Sequence, residues 1–167
     1  FHIILQADLI ESFVKKGAIF YDELYNLKDV EEIRLWFQDK IILPIIEQLS
    51  QKQEYRLRLT VEKVIHLLEE NYMDDISLDY CADQVNLNPT ILSKVFKEIS
   101  GSNFIDYLTN IRLNKAKELL LETDAKIKNI AESIGYKHSY FNRIFKKNEG
   151  ITPSEFREMN RKKSCVV

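Results

Sequence analysis

Apolar residues recur along most of the chain at the spacing of an α-helix. The clearest stretch runs from Leu57 to Asn71, where Val61, Val64 and Leu68 fall on one stripe of a helix. Four glycines and three prolines in 167 residues are too few for the frequent turns of a sheet built from short strands. The pattern therefore predicts an all-α fold. Further helices are predicted over 77–85, 89–99, 103–121, 126–134, 138–148 and 153–160.

Residues 1–54 are predicted to form an N-terminal helical segment that precedes a second domain, residues 55–167. The first helix of this segment should end at Gly17, and the second should kink or break at Pro44. The domain boundary is placed in the polar stretch that closes the segment, Gln51-Lys52-Gln53-Glu54. The segment could be the end of a sensor or dimerisation region, a linker, or a surface for protein partners. Because the chain begins with Phe1, it is expected to belong to a longer protein.

The sequence matches itself, without a gap, at an offset of 49 residues. Each copy predicts a short helix, a tight turn and a longer second helix. This is a helix-turn-helix arrangement, with units at about 77–100 and 126–149. The matched pairs, first copy before second, are Leu78/Ile127, Cys81/Ile130, Ala82/Ala131, Val85/Ile134, Leu92/Phe141, Lys94/Arg143, Val95/Ile144, Phe96/Phe145, Lys97/Lys146 and Gly101/Gly150.

Both copies meet the steric requirements of this motif. A close crossing of the two helices needs a small residue in the first helix, and Ala82 and Ala131 supply it. The turn needs a residue that tolerates left-handed backbone angles, and Asn86 and Gly135 stand there. A glycine then follows each second helix, as is typical of a helix C-cap.

The outward faces of the two second helices carry polar side chains at the spacing that a recognition helix presents to base edges in a major groove. The predicted base contacts are Thr90, Ser93, Lys94, His138, Ser139, Asn142 and Arg143. Lys94 and Arg143 are the candidates for guanine, because both can donate to O6 and N7. Other basic or helix-capping side chains are expected to meet phosphates. The predicted phosphate contacts are Asn88, Lys97, Lys146, Lys147 and Thr152.

Charge is distributed unevenly along the chain. The net charge of −2 argues against a nucleic-acid binder, but residues 88–167 carry 15 basic and 9 acidic side chains. Positive charge is therefore concentrated where the predicted recognition helices lie.

No enzyme activity, metal or cofactor is expected. The sequence contains no GxSxG or HExxH motif and no phosphate-binding glycine loop, and its few cysteines and histidines are scattered. A methyl-accepting thiol at Cys81 is the one enzymatic role left open, although its partner in the repeat, Ile130, indicates a core position.

Residues 61–160 resemble the DNA-binding domain of the AraC/XylS family of bacterial transcription regulators. Several motifs in the family's order carry the resemblance, and the second turn is one residue shorter than is common in the family. The motifs are Ser77-Leu78-x-x-Cys81-Ala82, Leu92-Ser93-Lys94-Val95-Phe96-Lys97, Ile111-Arg112-Leu113-x-x-Ala116-x-x-Leu119-Leu120, Ile127-x-x-Ile130-Ala131-x-x-Ile134-Gly135-Tyr136, Ser139-Tyr140-Phe141-Asn142-Arg143-Ile144-Phe145-Lys146-Lys147 and Gly150-Ile151-Thr152-Pro153-Ser154-Glu155-Phe156-Arg157.

The resemblance implies two helix-turn-helix subdomains joined by a long linker helix over 103–121. Recognition helices at about 89–99 and 138–148 would enter adjacent major grooves of double-stranded DNA. It also implies a transcription activator that contacts RNA polymerase and forms a homodimer, if it forms one, through residues outside the DNA-binding domain. Arg112 resembles a family position on the linker helix, for which a DNA contact and an intramolecular ion pair both stay open.

The expected location is the cytoplasm, on DNA, with a membrane tether of the full-length parent left open. The alternative function is a helical protein-interaction module that does not bind DNA. Salt dependence separates the two, because binding through several phosphates weakens steeply as salt rises.

Overall fold

The computed structural model describes residues 15–17 and 19–164, with side chains up to residue 161. Most of the first predicted helix lies outside the described residues, and Gly17, its predicted end, is itself helical. All regular structure in the described ranges is helical, which confirms the all-α prediction. The helices are α1 (19–25), α2 (Val30–Phe37), α3 (Leu43–Asn71), α4 (Leu78–Gln84), α5 (Pro89–Ser100), α6 (Phe104–Glu122), α7 (Ile127–Ser133), α8 (His138–Glu149) and α9 (Pro153–Ser164).

The chain divides into two compact units, Phe1–Arg56 and Leu57–Val167, and the division falls inside α3. The polar residues 51–54, where the domain boundary is predicted, lie just before this division and are helical themselves. Glutamine, lysine and glutamate are good helix formers, so a polar stretch without glycine or proline does not end a helix. Within the described part of the chain, no helix has the length and apolar character that crossing a bilayer requires.

Pro44 neither breaks nor ends the helical path. A π-helical segment, Gln38–Ile42, joins α2 to α3 directly before Leu43 and Pro44. A proline cannot donate a hydrogen bond to the carbonyl four residues earlier, here that of Lys40, and its ring crowds that carbonyl. The wider turn of a π-helix accommodates both effects. The expected kink is therefore a local change of helix type.

Aromatic and polar contacts join the described helices of the N-terminal unit. Trp36 Nε1 donates to Glu23 Oε2 at 2.7 Å, and the Trp36 ring meets Phe20 edge-on with centroids 5.2 Å apart. Asp29 caps α2 by accepting from the N–H of Glu32 at 2.9 Å. None of the described residues of this unit is buried, so many of its apolar side chains remain open to solvent.

The C-terminal unit contains two hydrophobic cores that share α6. The first core consists of Val61, Val64, Leu68, Ile76, Cys81, Ala82, Leu92, Val95, Phe96, Phe104 and Leu108. The second core consists of Leu113, Ala116, Leu120, Ile130, Ala131, Ile134, Phe141 and Phe145. Tyr72, just after α3, packs against both. The two halves of α6 thus belong to different cores, and each core carries one helix-turn-helix.

Candidate nucleic-acid interface

The first helix-turn-helix is α4 and α5. The hydroxyl of Ser77 accepts from the N–H of Tyr80 at 3.1 Å and begins α4. In the turn, Asn86 has a φ of +52°, the left-handed conformation predicted for it. Asn88 Oδ1 accepts from the N–H of Thr90 at 2.8 Å and caps α5. Both helices of the motif therefore begin at a polar cap, and the turn between them has a defined conformation.

The second helix-turn-helix, α7 and α8, follows the same path with different caps. Gly135 in the turn has a φ of +76°. Lys126 and Lys137 occupy the two N-cap positions and make no side-chain cap bond. Both second helices end at left-handed glycines, Gly101 at φ +79° and Gly150 at φ +78°. The predicted left-handed turns and C-caps are confirmed.

Fully buried side chains close the inner face of each motif. Ala82 and Ala131 have no exposed surface, and they leave room for the two helices of each motif to pack closely. Phe141 and Phe145 are also fully buried and meet edge-on, with centroids 5.5 Å apart. One face of α5 and one face of α8 are therefore buried in the cores, and the opposite face of each helix is the one that a ligand can reach.

The predicted base-contacting residues of α5 are all exposed. Thr90, Ser93 and Lys94 lie away from the core. Lys94 Nζ lies 3.9 Å from Glu98 Oε1, and these side chains are 78% and 61% exposed. An exposed ion pair of this kind contributes little to stability, so Lys94 can exchange Glu98 for an acceptor on DNA at small cost.

The outer face of α8 is held by contacts among its own side chains. His138, Ser139 and Arg143 are exposed, whereas Asn142 is partly buried. Asn142 Nδ2 lies 3.0 Å from His138 Nε2, within hydrogen-bond distance. The Arg143 guanidinium lies 5.4 Å from the centroid of the Tyr140 ring. These neighbours restrict the side chains before binding, which lowers the entropy that binding would cost.

The lysines predicted to meet phosphates are accessible. Lys97 stands in the last turn of α5, Lys146 and Lys147 stand in the last turn of α8, and all three are exposed. Asn88 is exposed as well. Because its Oδ1 caps α5, its amide nitrogen is the group that could donate to a phosphate.

Thr152 is placed differently, in a capping box at the start of α9. Its backbone N–H and its hydroxyl both donate to Glu155 Oε2, at 2.7 and 2.8 Å, and the N–H of Glu155 donates back to the hydroxyl at 3.3 Å. The bond from the Thr152 N–H, with the hydroxyl bond second, holds the pKa of Glu155 below its ordinary value of 4.5. A phosphate at Thr152 would therefore have to displace a carboxylate.

Arg112, on α6, has neither of the two roles expected for it. Its side chain is buried, with 8% of its surface exposed. Its Nε donates to the carbonyl of Tyr72 at 2.6 Å and its Nη2 to the carbonyl of Asp74 at 2.8 Å. Its guanidinium lies 4.7 Å from the ring centroid of Tyr136. Burial keeps Arg112 from DNA, and its donors meet backbone carbonyls rather than a carboxylate.

Ile91 and Tyr140 occupy equivalent positions in the repeat and are not among the base contacts predicted from the sequence. They are 51% and 40% exposed, next to the base-contact candidates Thr90 and Ser139. The sequence signal that could have identified them is the repeat, because Ile91 and Tyr140 stand 49 residues apart beside predicted base contacts. In the major groove the apolar feature that such side chains contact is the thymine methyl group.

Cys81 is a core residue. Its side chain is fully buried in the first core, and burial raises the pKa of the thiol to about 11. A thiol acts as a nucleophile through its thiolate, which this environment disfavours. The structure therefore gives no support to a methyl-accepting role.

Comparison with known proteins agrees with this architecture. A family model described as a helix-turn-helix domain matches residues 81–159. The chain is 32% identical over 159 residues to YtdP, an uncharacterized HTH-type transcriptional regulator of Bacillus subtilis (strain 168), covering 95% of this chain and 20% of that protein. The chain spans only about a fifth to a half of the length of the curated relatives it matches.

Solved structures give the same result for the C-terminal unit. The C-terminal domain of AraT, a response regulator from Geobacillus stearothermophilus, is 36% identical with a TM-score of 0.59, over 60% of this chain and 84% of that chain. A transcriptional regulator from Chromobacterium violaceum, described by its AraC-type DNA-binding domain, is 28% identical with a TM-score of 0.56, over 59% and 89%. The chain belongs to the AraC family of DNA-binding transcription regulators.

Proposed function

We propose that the protein regulates transcription by binding a specific double-stranded DNA sequence, with α5 and α8 in adjacent major grooves. The observation that carries the proposal is that two equivalent helices present polar, partly basic faces from one compact unit. The 19 residues of α6 lie between the two motifs. At ~1.5 Å per residue they span roughly 28 Å, which approaches the ~34 Å between successive major-groove faces on one side of a duplex.

In this proposal Arg143 and Lys94 read guanine through O6 and N7. Asn142 is suited to adenine, whose N7 accepts and whose N6 donates, so that an amide can make both bonds. The remaining readers act directly or through water, and they are Thr90, Ser93, His138 and Ser139. The phosphate contacts that set the register are Asn88, Lys97, Lys146 and Lys147. Thr152 would join them by exchanging the Glu155 carboxylate for a phosphate oxygen.

Selection of binding sites from random duplex DNA tests the proposal. The winning site should contain two elements about one helical turn apart. Arg143→Ala and Lys94→Ala should each cost about 1–3 kcal/mol of binding free energy and should relax the preference at one element each. Failure of the wild type to enrich any sequence, together with negligible binding at low salt, would refute the proposal.

Lys128→Ala is a matched control for Lys94→Ala. Lys128 pairs with Glu132 at 3.9 Å, four residues apart on one helix and in solvent, as Lys94 pairs with Glu98. It lies on α7, the first helix of its motif, and not on a recognition helix. The control should therefore leave the sequence preference unchanged, although it can lower affinity through general electrostatics.

We further propose that the protein activates transcription through RNA polymerase. The family resemblance supports this role, and reporter transcription from the selected site would decide between activation and repression. The predicted location, in the cytoplasm on DNA, stays a prediction.

Exposed apolar side chains in the N-terminal unit favour a second role, contact with another protein chain. Tyr25, Val30 and Ile46 are among those with more than half of their surface in solvent. A homodimer through this unit is the proposed form, because it would place a second DNA-binding domain nearby. Molar mass in solution, measured over a range of concentrations, tests the homodimer. Partner binding that resists salt, with no DNA binding, would instead favour the interaction-module alternative.

A further inference from the structure

The turn of the second helix-turn-helix rests on the segment that follows α3, and α3 belongs to the first core. A Cβ placed on Gly135 would lie 3.0 Å from the carbonyl carbon of Met73 and closer still to its oxygen, so the two backbones are in direct contact. α8 begins at His138, shortly after this turn. The position of the second recognition helix is therefore tied to the first motif through the turn as well as through α6.

Arg112 joins the elements that meet at this contact. From α6 it donates to the carbonyls of Tyr72 and Asp74, and its guanidinium lies against the Tyr136 ring. The hydroxyl of Tyr136 in turn donates to Thr109 Oγ1, also on α6, at 3.4 Å. This attachment beside α6 adds to the contacts that oppose a change in the relative orientation of the two motifs.

Comparison of Arg112 with its partner in the repeat distinguishes its contacts between the motifs from contacts that both repeats share. Arg161, on α9, stands 49 residues after Arg112 and donates to the carbonyl of Thr123 at 3.3 Å, the repeat partner of Asp74. The Arg161 side chain is 49% exposed and also pairs with Asp124. In both repeats, an arginine at the same position thus donates to the equivalent backbone carbonyl. Burial under an aromatic ring of the other motif is what distinguishes Arg112.

We propose that Arg112 and Tyr136, named here the inter-motif clamp, set the spacing between the two DNA half-sites that the protein accepts. The inference rests on the proposed function, because it concerns how the two recognition helices are held relative to each other. Arg112 is a positioning residue: it acts on DNA through the placement of α8. The clamp makes one half-site spacing fit both helices at once, and other spacings require that it be broken.

The test compares Arg112→Lys and Tyr136→Leu with the matched control Arg161→Lys, all in the full chain. Lysine keeps the charge but cannot form the planar two-donor fork or stack on a ring in the same way. Binding is measured to the duplex selected by the wild type, to duplexes whose half-sites are moved apart or together by one or two base pairs, and to duplexes that keep a single half-site. Helical circular dichroism confirms that each variant is folded.

Both clamp substitutions should lower the preference for the selected spacing by about tenfold, the discrimination that one well-placed base contact supplies. Affinity for a single half-site should change little, and Arg161→Lys should leave both quantities unchanged. A merely structural role would instead weaken single and paired half-sites alike. That result would overturn the inference, and so would an unchanged spacing preference in folded clamp variants.

Tyr136→Leu decides the matter if Arg112→Lys does not fold, because it removes the ring and leaves the arginine in place. A wild type that selects only a single half-site overturns this inference and leaves DNA binding intact. A wild type that selects no DNA overturns the proposed function and the inference with it. The two failures are therefore distinguishable from the wild-type selection alone.

Discussion

Gly135 is required for two separate reasons, and substitution by alanine can measure them apart. Its φ of +76° is unfavourable for any residue with a Cβ, and an added Cβ would overlap the backbone of Met73. Gly150 shares the first reason only: its φ is +78°, and nothing lies within 4 Å of its Cβ position. Gly101, at φ +79°, is equally open. The three glycines therefore form a matched series.

The magnitudes follow from these geometries. A left-handed alanine costs ~1–2 kcal/mol, and the lost freedom of the unfolded chain returns about 0.4–1 kcal/mol. Gly150→Ala and Gly101→Ala should therefore lower the free energy of unfolding by roughly 1 kcal/mol. Gly135→Ala adds the overlap with Met73, and overpacking of this kind costs about 1–3 kcal/mol. We therefore expect Gly135→Ala to lower the free energy of unfolding by about 1–3 kcal/mol more than Gly150→Ala does.

Urea unfolding followed by helical circular dichroism provides the assay, with the free energy of unfolding extrapolated to water. The slope with denaturant should be similar in all variants, so that midpoints can be compared directly. Equal losses at Gly135 and Gly150 would show that the end of α3 yields to the new methyl group. In that case the close approach is not a constraint, and the two motifs are not rigidly joined at this contact.

Further predictions concern the capping box, the core and the reading face. Because folding lowers the pKa of Glu155, this carboxylate stabilises the fold above pH 4.5, and that stabilisation is lost as the pH falls through the lower folded-state pKa. In Glu155→Gln, the free energy of unfolding measured against pH should therefore fall less steeply in acid. Because burial raises the pKa of Cys81 to about 11, stability should fall as the pH rises from about 9 to about 11, and a thiol reagent should label Cys81 at neutral pH only on unfolding. Ala131→Leu should cost about 1–3 kcal/mol of unfolding free energy in urea, since the side chain is fully buried where two helices pack. Under the proposed function, replacing thymine by uracil in the selected site should weaken the wild type, and Ile91→Ala should remove that sensitivity in a titration.

The sequence predicted the parts of the fold that repeat. The 49-residue offset located both turns, and the need for left-handed angles at Asn86 and Gly135 followed from their residue types. The sequence did not show that residues 51–54, the predicted domain boundary, lie inside one continuous helix, because polar residues that are good helix formers do not indicate where a helix ends. Residue type therefore predicted local structure where the backbone has a steric requirement, as it does at the left-handed turns.

Contacts to backbone atoms far along the chain left no pattern to detect. The carbonyls that Arg112 bonds belong to Tyr72 and Asp74, 40 and 38 residues earlier, and any residue type could supply them. The close approach of Gly135 to Met73 is hidden for the same reason, since its left-handed turn already accounts for a glycine. The 49-residue offset also relates Arg112 to Arg161, but few residues around them match. Their equivalence becomes clear only because each donates to the carbonyl at the same position of its own repeat.

Under the proposed function, the joint between the motifs would bear on affinity for DNA as well as on the accepted spacing of half-sites. Once one recognition helix is bound, the second binds as an intramolecular step, and its effective concentration depends on how well the connection holds it over its half-site. A loose connection would spread α8 over many positions, so that several spacings would be accepted and none bound tightly. If Arg112 and Tyr136 fix this joint as proposed, they concentrate α8 at one position, which would raise affinity for one spacing and exclude the others. Discrimination among DNA sites would then arise partly from residues that never touch a base, and substitutions there would alter which sites are bound while the reading faces of α5 and α8 stay intact.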